Sequence, residues 1–155
     1  MCPMSERDEQ LSKAMGLRGH YPPFVQLLGV TFEPLDGDDI CIKLTMRDEL
    51  SLNLDGGALH GGVISALMDI IGGTVVAWGL RKEIEGQPLE EQAKRMNRVN
   101  TIDLRIDYLR PGKGKVFTAT GSVLRSGRKV AVSRMELHNE KQLLIAVGMG
   151  TYTVG

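Results

Sequence analysis

The run between residues 54 and 80, LDGGALHGGVISALMDIIGGTVVAWGL, constrains the fold of this chain more than any other feature. Its apolar residues are spread around the helical wheel, which predicts a helix over about 61–80 that is covered nearly all round. Gly72 and Gly73 are expected to serve this packing. Small residues recur along the run at helical spacing and allow another backbone to approach closely: Gly62, Ala66, Gly73 and Ala77.

Alternating segments precede and follow the predicted helix. VTFEPL and DICIKLTM flank the turn signal DGDD and predict a hairpin. After residue 100, four segments separated by short turns predict four strands joined as an antiparallel meander: TIDLRIDYL, KVFTATGSVLRS, GRKVAVSRMELHN and KQLLIAVGMGTYTV. One helix between two sets of strands predicts an α+β domain whose sheet curls around that helix.

Three further segments complete the predicted organisation. SERDEQLSKAMGL predicts a short surface helix capped by Ser5. In YPPFVQLLGV, Pro22 and Pro23 are expected to break any helix before a small apolar segment begins. The polar segment 81–100 predicts a surface loop with a short helical piece after Pro88. We therefore divide the chain into an N-terminal helix and loop, 1–28, and a main domain, 29–155.

Composition excludes several classes of partner. Among 155 residues, nineteen basic and nineteen acidic side chains cancel, which favours neither nucleic acid nor a membrane surface. The charged start MCPMSERDEQ is unlike a secretory signal, and glycines and charges interrupt every apolar run that approaches a membrane span. Cys2 and Cys41 form neither a disulfide framework nor a metal-binding spacing. We expect a cytoplasmic protein of one main domain.

Two features of the predicted helix point to chemistry. Glycines at a helix N-terminus leave backbone N–H groups open to a carbonyl oxygen, so the Gly61 N–H, followed by that of Gly62, is the candidate oxyanion donor. Asp69 lies eight residues further on, on about the same face, and a carboxylate in an apolar helix needs a polar crevice or a partner. Asp69 can act as a general base on water or as a nucleophile, and the residues do not separate these roles.

The motifs LHGGVISALMD, TIDLRIDYLRP and RSGRKVAV resemble the hotdog-fold thioesterases of the phenylacetic-acid-degradation (PaaI-like) type, over about residues 29–152. The resemblance implies hydrolysis of acyl-coenzyme A in a homodimer or dimer of dimers, with sites at the subunit interface and neither metal nor bound cofactor. It also implies that His60 shapes the site and that Thr101 reaches Asp69 of the opposite subunit. The family's asparagine position is Leu54 here, and Asn53 stands one residue earlier.

Coenzyme A carries phosphates, and two basic turns are candidates to hold them because arginine suits phosphate geometry. RSGRK offers its side chains and the backbone donor of Gly127, and LRPGKGK offers a second cluster with Lys113 and Lys115. Ser65, one turn after Gly61, completes the substrate-binding candidates together with Gly62. The basic-turn candidates are Arg110, Arg125, Ser126, Gly127, Arg128 and Lys129.

Two other functions remain open on the residues. A hotdog hydratase or dehydratase would also use a histidine and a carboxylate, although no HFPG-type loop is present. A non-catalytic acyl-CoA-sensing module would need a DNA-binding partner domain, for which the first 28 residues are expected to be too short. The assembly that we expect is a two-fold dimer whose sheets join edge to edge, since an exposed strand edge is a liability.

Overall fold

The computed structural model describes residues 21–34 and 39–155, together with Glu6, Gln10 and Lys13, which are helical. Ser5, Cys2, His20 and most of the predicted N-terminal helix and DGDD turn lie outside the described residues. The helices are α1 Pro23–Leu28, α2 Gly61–Leu80 and α3 Leu89–Met96, with a 3₁₀ turn at Asp48–Leu50. The strands are β1 Thr31–Pro34, β2 Ile40–Thr45, β3 Thr101–Tyr108, β4 Val116–Ser126, β5 Val130–Asn139 and β6 Leu144–Thr153.

The strands form one six-stranded sheet in the order β1-β2-β4-β5-β6-β3, and all neighbours are antiparallel. The predicted hairpin and the β4-β5-β6 meander are confirmed. The first link of the predicted meander is wrong, because β3 pairs with β6 at the far edge while β4 pairs with β2. A two-residue period shows that a segment is a strand but carries no information on which strand lies beside it.

Helix α2 is the centre of the fold, and strands β2 to β6 all contact it. Leu67, Met68 and Ile71 are essentially without solvent exposure and lie in the main core. By length and composition alone α2 would also pass as a membrane span. Here its apolar side chains pack against the sheet, which explains why they are not confined to one stripe.

The prolines before α1 do not act as predicted. Pro22 is the N-cap of α1 and Pro23 its first residue, so the pair begins a helix instead of breaking one. Proline suits this position because its missing N–H would have no intrahelical partner there. Val25 and Leu28 of α1 are buried in the same core as α2, and the predicted helical piece after Pro88 is confirmed as α3.

Strand β6 approaches α2 so closely that only glycine fits at the contact. A Cβ atom on Gly72 would overlap the Tyr152 hydroxyl and lie 3.0 Å from the Met135 sulfur. Gly73 lies beside the same ring, since its Cβ would be 3.4 Å from Tyr152 Cε1. The expectation that these two glycines serve packing is confirmed, and the ring they admit is that of Tyr152.

A matched pair of glycine substitutions in α2 tests this contact. Gly72→Ala is expected to lower the free energy of unfolding by about 1–3 kcal/mol, because the buried Tyr152 has to move. Gly79→Ala places its Cβ 3.8 Å from its nearest neighbour, Val123 Cγ2, and is expected to be neutral or stabilising by up to about 1 kcal/mol. Urea unfolding measures both. Equal effects of the two substitutions would show that Tyr152 does not constrain Gly72.

Candidate active site

The N-terminus of α2 presents one open backbone donor. His60 is the N-cap, and its ring Nδ1 accepts a hydrogen bond from the Gly62 N–H at 2.9 Å. The Val63 and Ile64 N–H groups donate to the His60 carbonyl. Within the described residues the Gly61 N–H has no partner, which agrees with its predicted availability for an oxyanion. The expectation that Gly62 is the second oxyanion donor is corrected, because its N–H already donates to His60.

Tyr108, at the end of β3, lies over the first turn of α2. Its hydroxyl is 2.5 Å from that of Ser65 and 3.3 Å from the Gly61 carbonyl oxygen. Ser65 also donates to the Gly61 carbonyl at 3.0 Å. Ser65 is therefore part of the helix entrance, and these contacts hold the turn that carries the Gly61 N–H.

Asp69 is held by residues from two paired strands. Thr101 of β3 donates its hydroxyl to Asp69 Oδ1 at 2.7 Å, and the Tyr152 hydroxyl of β6 lies 3.5 Å from the same oxygen. Thr101 and Tyr152 are opposite each other in the β3–β6 register, so one cross-strand pair supplies both hydroxyls. Asp69 Oδ2 has no partner among the described residues and remains available for chemistry.

The contact from Thr101 corrects the expectation that this residue reaches Asp69 of the opposite subunit. The 2.7 Å hydrogen bond lies within a single chain. It forms because β3 joins the sheet beside β6, which brings the start of β3 to the middle of α2. The predicted meander would have placed β3 elsewhere.

Tyr152 remains a hydrogen-bond donor at neutral pH. Burial of its side chain, followed by the negative charge of Asp69, raises the pKa of Tyr152 well above its ordinary value. Neutral tyrosine therefore faces the carboxylate, with its hydroxyl also 3.5 Å from the Asp69 carbonyl oxygen.

Asp69 opens onto a crevice of about 280 Å³ on the side of α2 that the sheet leaves uncovered. The two edges of the sheet, with α1 and α3, form its walls. Its lining mixes apolar side chains with the Asp69 carboxylate and with the hydroxyl and amide groups of Thr74, Asn97, Thr101 and Tyr152. Its lining residues are Pro22, Val25, Phe32, Asp69, Ile70, Gly73, Thr74, Ala77, Met96, Asn97, Val99, Thr101 and Tyr152.

The structure does not bring Asp69 and Gly61 of one chain to the same point. Eight residues of helix separate them by about 12 Å along the axis. Gly61 does not line the crevice that contains Asp69. The expectation that they share a face close enough to act on one carbonyl is therefore wrong for a single chain.

Asn53 also lies away from Asp69. Its backbone carbonyl accepts hydrogen bonds from the Ser51 hydroxyl at 2.8 Å and the Gly56 N–H at 3.0 Å. The Asn53 side chain is exposed in the loop before His60 and has no hydrogen bond within the described residues. The structure thus supports a turn-forming role for Asn53.

The two basic turns lie at opposite ends of β4. Arg110 and the lysines at 113 and 115 precede this strand, and RSGRK follows it, so about 33 Å of strand separates them. They cannot act as one phosphate site within a chain. Arg110 is also engaged structurally, donating to the Leu144 carbonyl at 2.9 Å.

RSGRK forms the β4–β5 turn. The Gly127 N–H donates to the Val130 carbonyl at 2.9 Å, which corrects the expectation that it is a free donor. The Ser126 hydroxyl lies 3.4 Å from Glu83 Oε1. Arg125, Arg128 and Lys129 take part in no ion pair within the described residues.

Sequence reasoning missed Tyr152 and Tyr108. Tyr152 stands in KQLLIAVGMGTYTV at an inward-facing strand position, and this pattern does not distinguish a tyrosine whose hydroxyl contacts a site from one that only packs in the core. The signal that could have found it is the pair of adjacent glycines at 72 and 73, because a large ring must fill the space they leave.

Comparison with known proteins places this geometry in a family. The model of the Thioesterase superfamily matches residues 56–146, which include α2, Asp69 and Thr101. The chain belongs to this superfamily. The predicted hotdog fold and thioesterase family are confirmed, and so is the prediction of a thioester-hydrolysing enzyme.

Individual proteins of known sequence or structure are similar to this chain over most of its length. The sequence is 41% identical over 148 residues to the medium/long-chain acyl-CoA thioesterase YigI of Escherichia coli strain K12, covering 95% of this chain and 96% of that protein. A crystal structure of a Shewanella oneidensis protein related to the thioesterase superfamily has a TM-score of 0.87 and 43% identity, covering 96% and 97% of the two chains. The E. coli PaaI structure, at 22% identity and a TM-score of 0.69 over 99% and 96%, shares the fold.

The hydroxyl of Thr101 is expected to be needed for thioesterase turnover. Thr101→Val removes the donor to Asp69 Oδ1 and should lower kcat by about ten-fold or more, since a hydrogen bond to a charged group contributes about 1.5–3 kcal/mol. Thr101→Ser keeps a hydroxyl and should retain most of kcat. Steady-state kinetics with circular dichroism as the folding control measures this. A Val variant as active as the Ser variant would remove Thr101 from the site.

Proposed function

We propose that this chain hydrolyses coenzyme A esters of medium- or long-chain acyl groups at Asp69. The observation that carries the proposal is the Asp69 carboxylate, which Thr101 holds beside a crevice with apolar side chains in its walls. The apolar side chains that line the crevice beside this carboxylate suit an acyl group. The activity named for the 41% identical E. coli relative supports the same substrate class.

The unpartnered Oδ2 of Asp69 has two routes to hydrolysis. As a general base, it takes a proton from water while the water oxygen bonds to the thioester carbon; the C–S bond then breaks and the thiolate is protonated. As a nucleophile, Oδ2 bonds to that carbon, the thiolate leaves, and water hydrolyses the mixed anhydride. In both routes negative charge develops on the carbonyl oxygen.

Among the described residues, the candidate backbone donor for that oxygen, Gly61, is not part of the crevice that contains Asp69. The Gly61 N–H is open but about 12 Å away along α2. A second copy of the chain, related by a two-fold axis, can bring its own Gly61 N–H to this position. We therefore place the site between two subunits, with the carboxylate from one and the oxyanion donor from the other.

Strand β3 is the surface that we assign to the dimer. It ends the sheet, and its second edge has no strand partner among the described residues. Ile102 and Tyr108 on this strand are 56% and 52% exposed, although both are large and partly apolar. Pairing two β3 edges would satisfy the exposed backbone and cover these side chains.

Mixing two inactive variants tests the composite site. Asp69→Asn or Asp69→Ala is expected to lower kcat at least about 100-fold. Gly61→Pro removes the N–H at a helix position that proline tolerates, and is expected to lower kcat by a similar factor. Co-refolded Asp69→Ala and Gly61→Pro subunits should recover about a quarter of wild-type activity, because half of the dimers hold one intact site out of two.

A matched mixture controls this experiment. Asp69→Ala with Thr101→Val should give no recovery, because both residues act from the same chain. No recovery in the Gly61→Pro mixture, although heterodimers are seen by native mass spectrometry, would contradict the composite site. Wild-type kcat for Asp69→Asn would contradict the role of Asp69 altogether.

RSGRK is the basic turn that we assign to the phosphates of coenzyme A. Among the described residues, the Arg128 side chain has no ion pair or hydrogen bond. Arg110 of the other turn, in contrast, donates to a backbone carbonyl. Arg128→Ala, and likewise Arg125→Ala, is expected to raise KM for coenzyme A esters about ten-fold and to leave KM for N-acetylcysteamine esters unchanged, since these lack phosphate. Arg110→Ala is the control. Equal changes in KM for both ester types would contradict phosphate contact.

A further inference from the structure

The crevice beside Asp69 follows α2 towards its C-terminal end. Its floor is a single stripe of the helix, because residues one turn apart lie above one another. From Asp69 to Ala77 the stripe extends about 12 Å. Burial increases along it, from the half-buried Asp69 and Ile70 to Ala77, which is 5% exposed. The stripe consists of Asp69, Ile70, Gly73, Thr74 and Ala77.

Two walls rise from this floor. On one side, Val25 of α1 and Phe32 of β1 line the crevice, and Phe32 packs against Tyr21 with ring centroids 5.3 Å apart. On the other side are Met96, the last residue of α3, and Val99 in the link to β3. Met96 is 2% exposed and packs in one cluster with Ala77.

We propose that this crevice holds the acyl chain, with the thioester carbonyl at Asp69 and the methyl end against Ala77 and Met96. The proposal rests on the proposed function and adds the residues that set acyl-chain length. Asp69 is itself part of the crevice lining, so an acyl chain whose thioester lies at Asp69 enters the crevice directly.

The chemistry of the lining favours an alkyl chain over the pantetheine arm of coenzyme A. Pantetheine contains two amide groups that would need hydrogen-bond partners in the crevice. The Thr74 hydroxyl donates to the Ile70 carbonyl at 2.7 Å, and among the lining residues only Asn97, beside the apolar Met96, carries a side-chain amide. The neighbouring cavity, lined by Lys94, Arg95 and Arg98, is charged and unsuited to an alkyl chain.

Ala77 and Met96 are therefore specificity-determining residues. Each methylene group accommodated in the crevice is expected to raise kcat/KM about four-fold, equivalent to about 0.8 kcal/mol, until the chain reaches Ala77 and Met96. Beyond that length, further methylene groups remain in water and add nothing. A larger residue at position 77 should shorten the acyl group that is hydrolysed best, and a smaller residue at position 96 should lengthen it.

Kinetics with saturated acyl-CoAs from four to sixteen carbons tests the two changes against each other. Ala77→Leu is expected to lower kcat/KM for the longest substrates at least about ten-fold and to leave the shortest within about two-fold. Met96→Ala should move the optimum to longer chains. Val76→Leu enlarges the adjacent buried position outside the crevice, and is expected to act equally on all chain lengths. Ala77→Val serves if the leucine variant does not fold.

Binding of non-hydrolysable S-alkyl coenzyme A thioethers, measured by calorimetry, separates this proposal from the proposed function. Affinity should rise with alkyl length and level off earlier in Ala77→Leu, even in an Asp69→Asn background. If thioether binding depends on chain length but the wild-type protein does not hydrolyse the matching acyl-CoAs, the crevice assignment stands and the proposed function is overturned. Unchanged length profiles in folded Ala77 and Met96 variants would overturn the crevice assignment.

Discussion

The contact between Tyr152 and the backbone of α2 at Gly72 is the constraint on which the rest of this structure depends. It sets how closely β6 approaches the core helix, because any side chain at residue 72 would displace the ring. It also places the Tyr152 hydroxyl 3.5 Å from Asp69 Oδ1. Since Thr101 is opposite Tyr152 in the sheet, the same packing delivers the stronger hydrogen bond to the carboxylate. The packing of Tyr152 against α2 therefore also determines where the hydroxyl groups lie around Asp69.

The position of β3 gives the site its remaining properties. As an edge strand beside β6, β3 begins at Asp69 with Thr101 and ends over the helix N-terminus with Tyr108. One strand therefore contacts both halves of the proposed chemistry, about 12 Å apart on α2. Among the described residues, its second edge has no strand partner.

Much of this arrangement was predictable. The helix over 61–80, the strands after residue 100 and the choice of Asp69 as a candidate residue follow from patterns with strong local causes: an all-round apolar helix, a two-residue period and a charge that requires a polar setting. The open Gly61 N–H was predicted as well, because orphan donors at a helix N-terminus are a property of every helix. These features depend on neighbours along the chain.

Other features depend on which segments meet, and here prediction from sequence went wrong. The pairing of β3 with β6 and the Thr101 contact within one chain both follow from strand order. Residues 22 and 96 likewise line one crevice only after α1 and α3 have packed beside α2. The sequence by itself determined the strands, the helix over 61–80 and the candidates Gly61 and Asp69, because helical and strand periods, helix termini and lone charges act locally. Only the tertiary structure decided which hydroxyl reaches Asp69 and what walls surround it, because many strand orders satisfy the same alternating pattern.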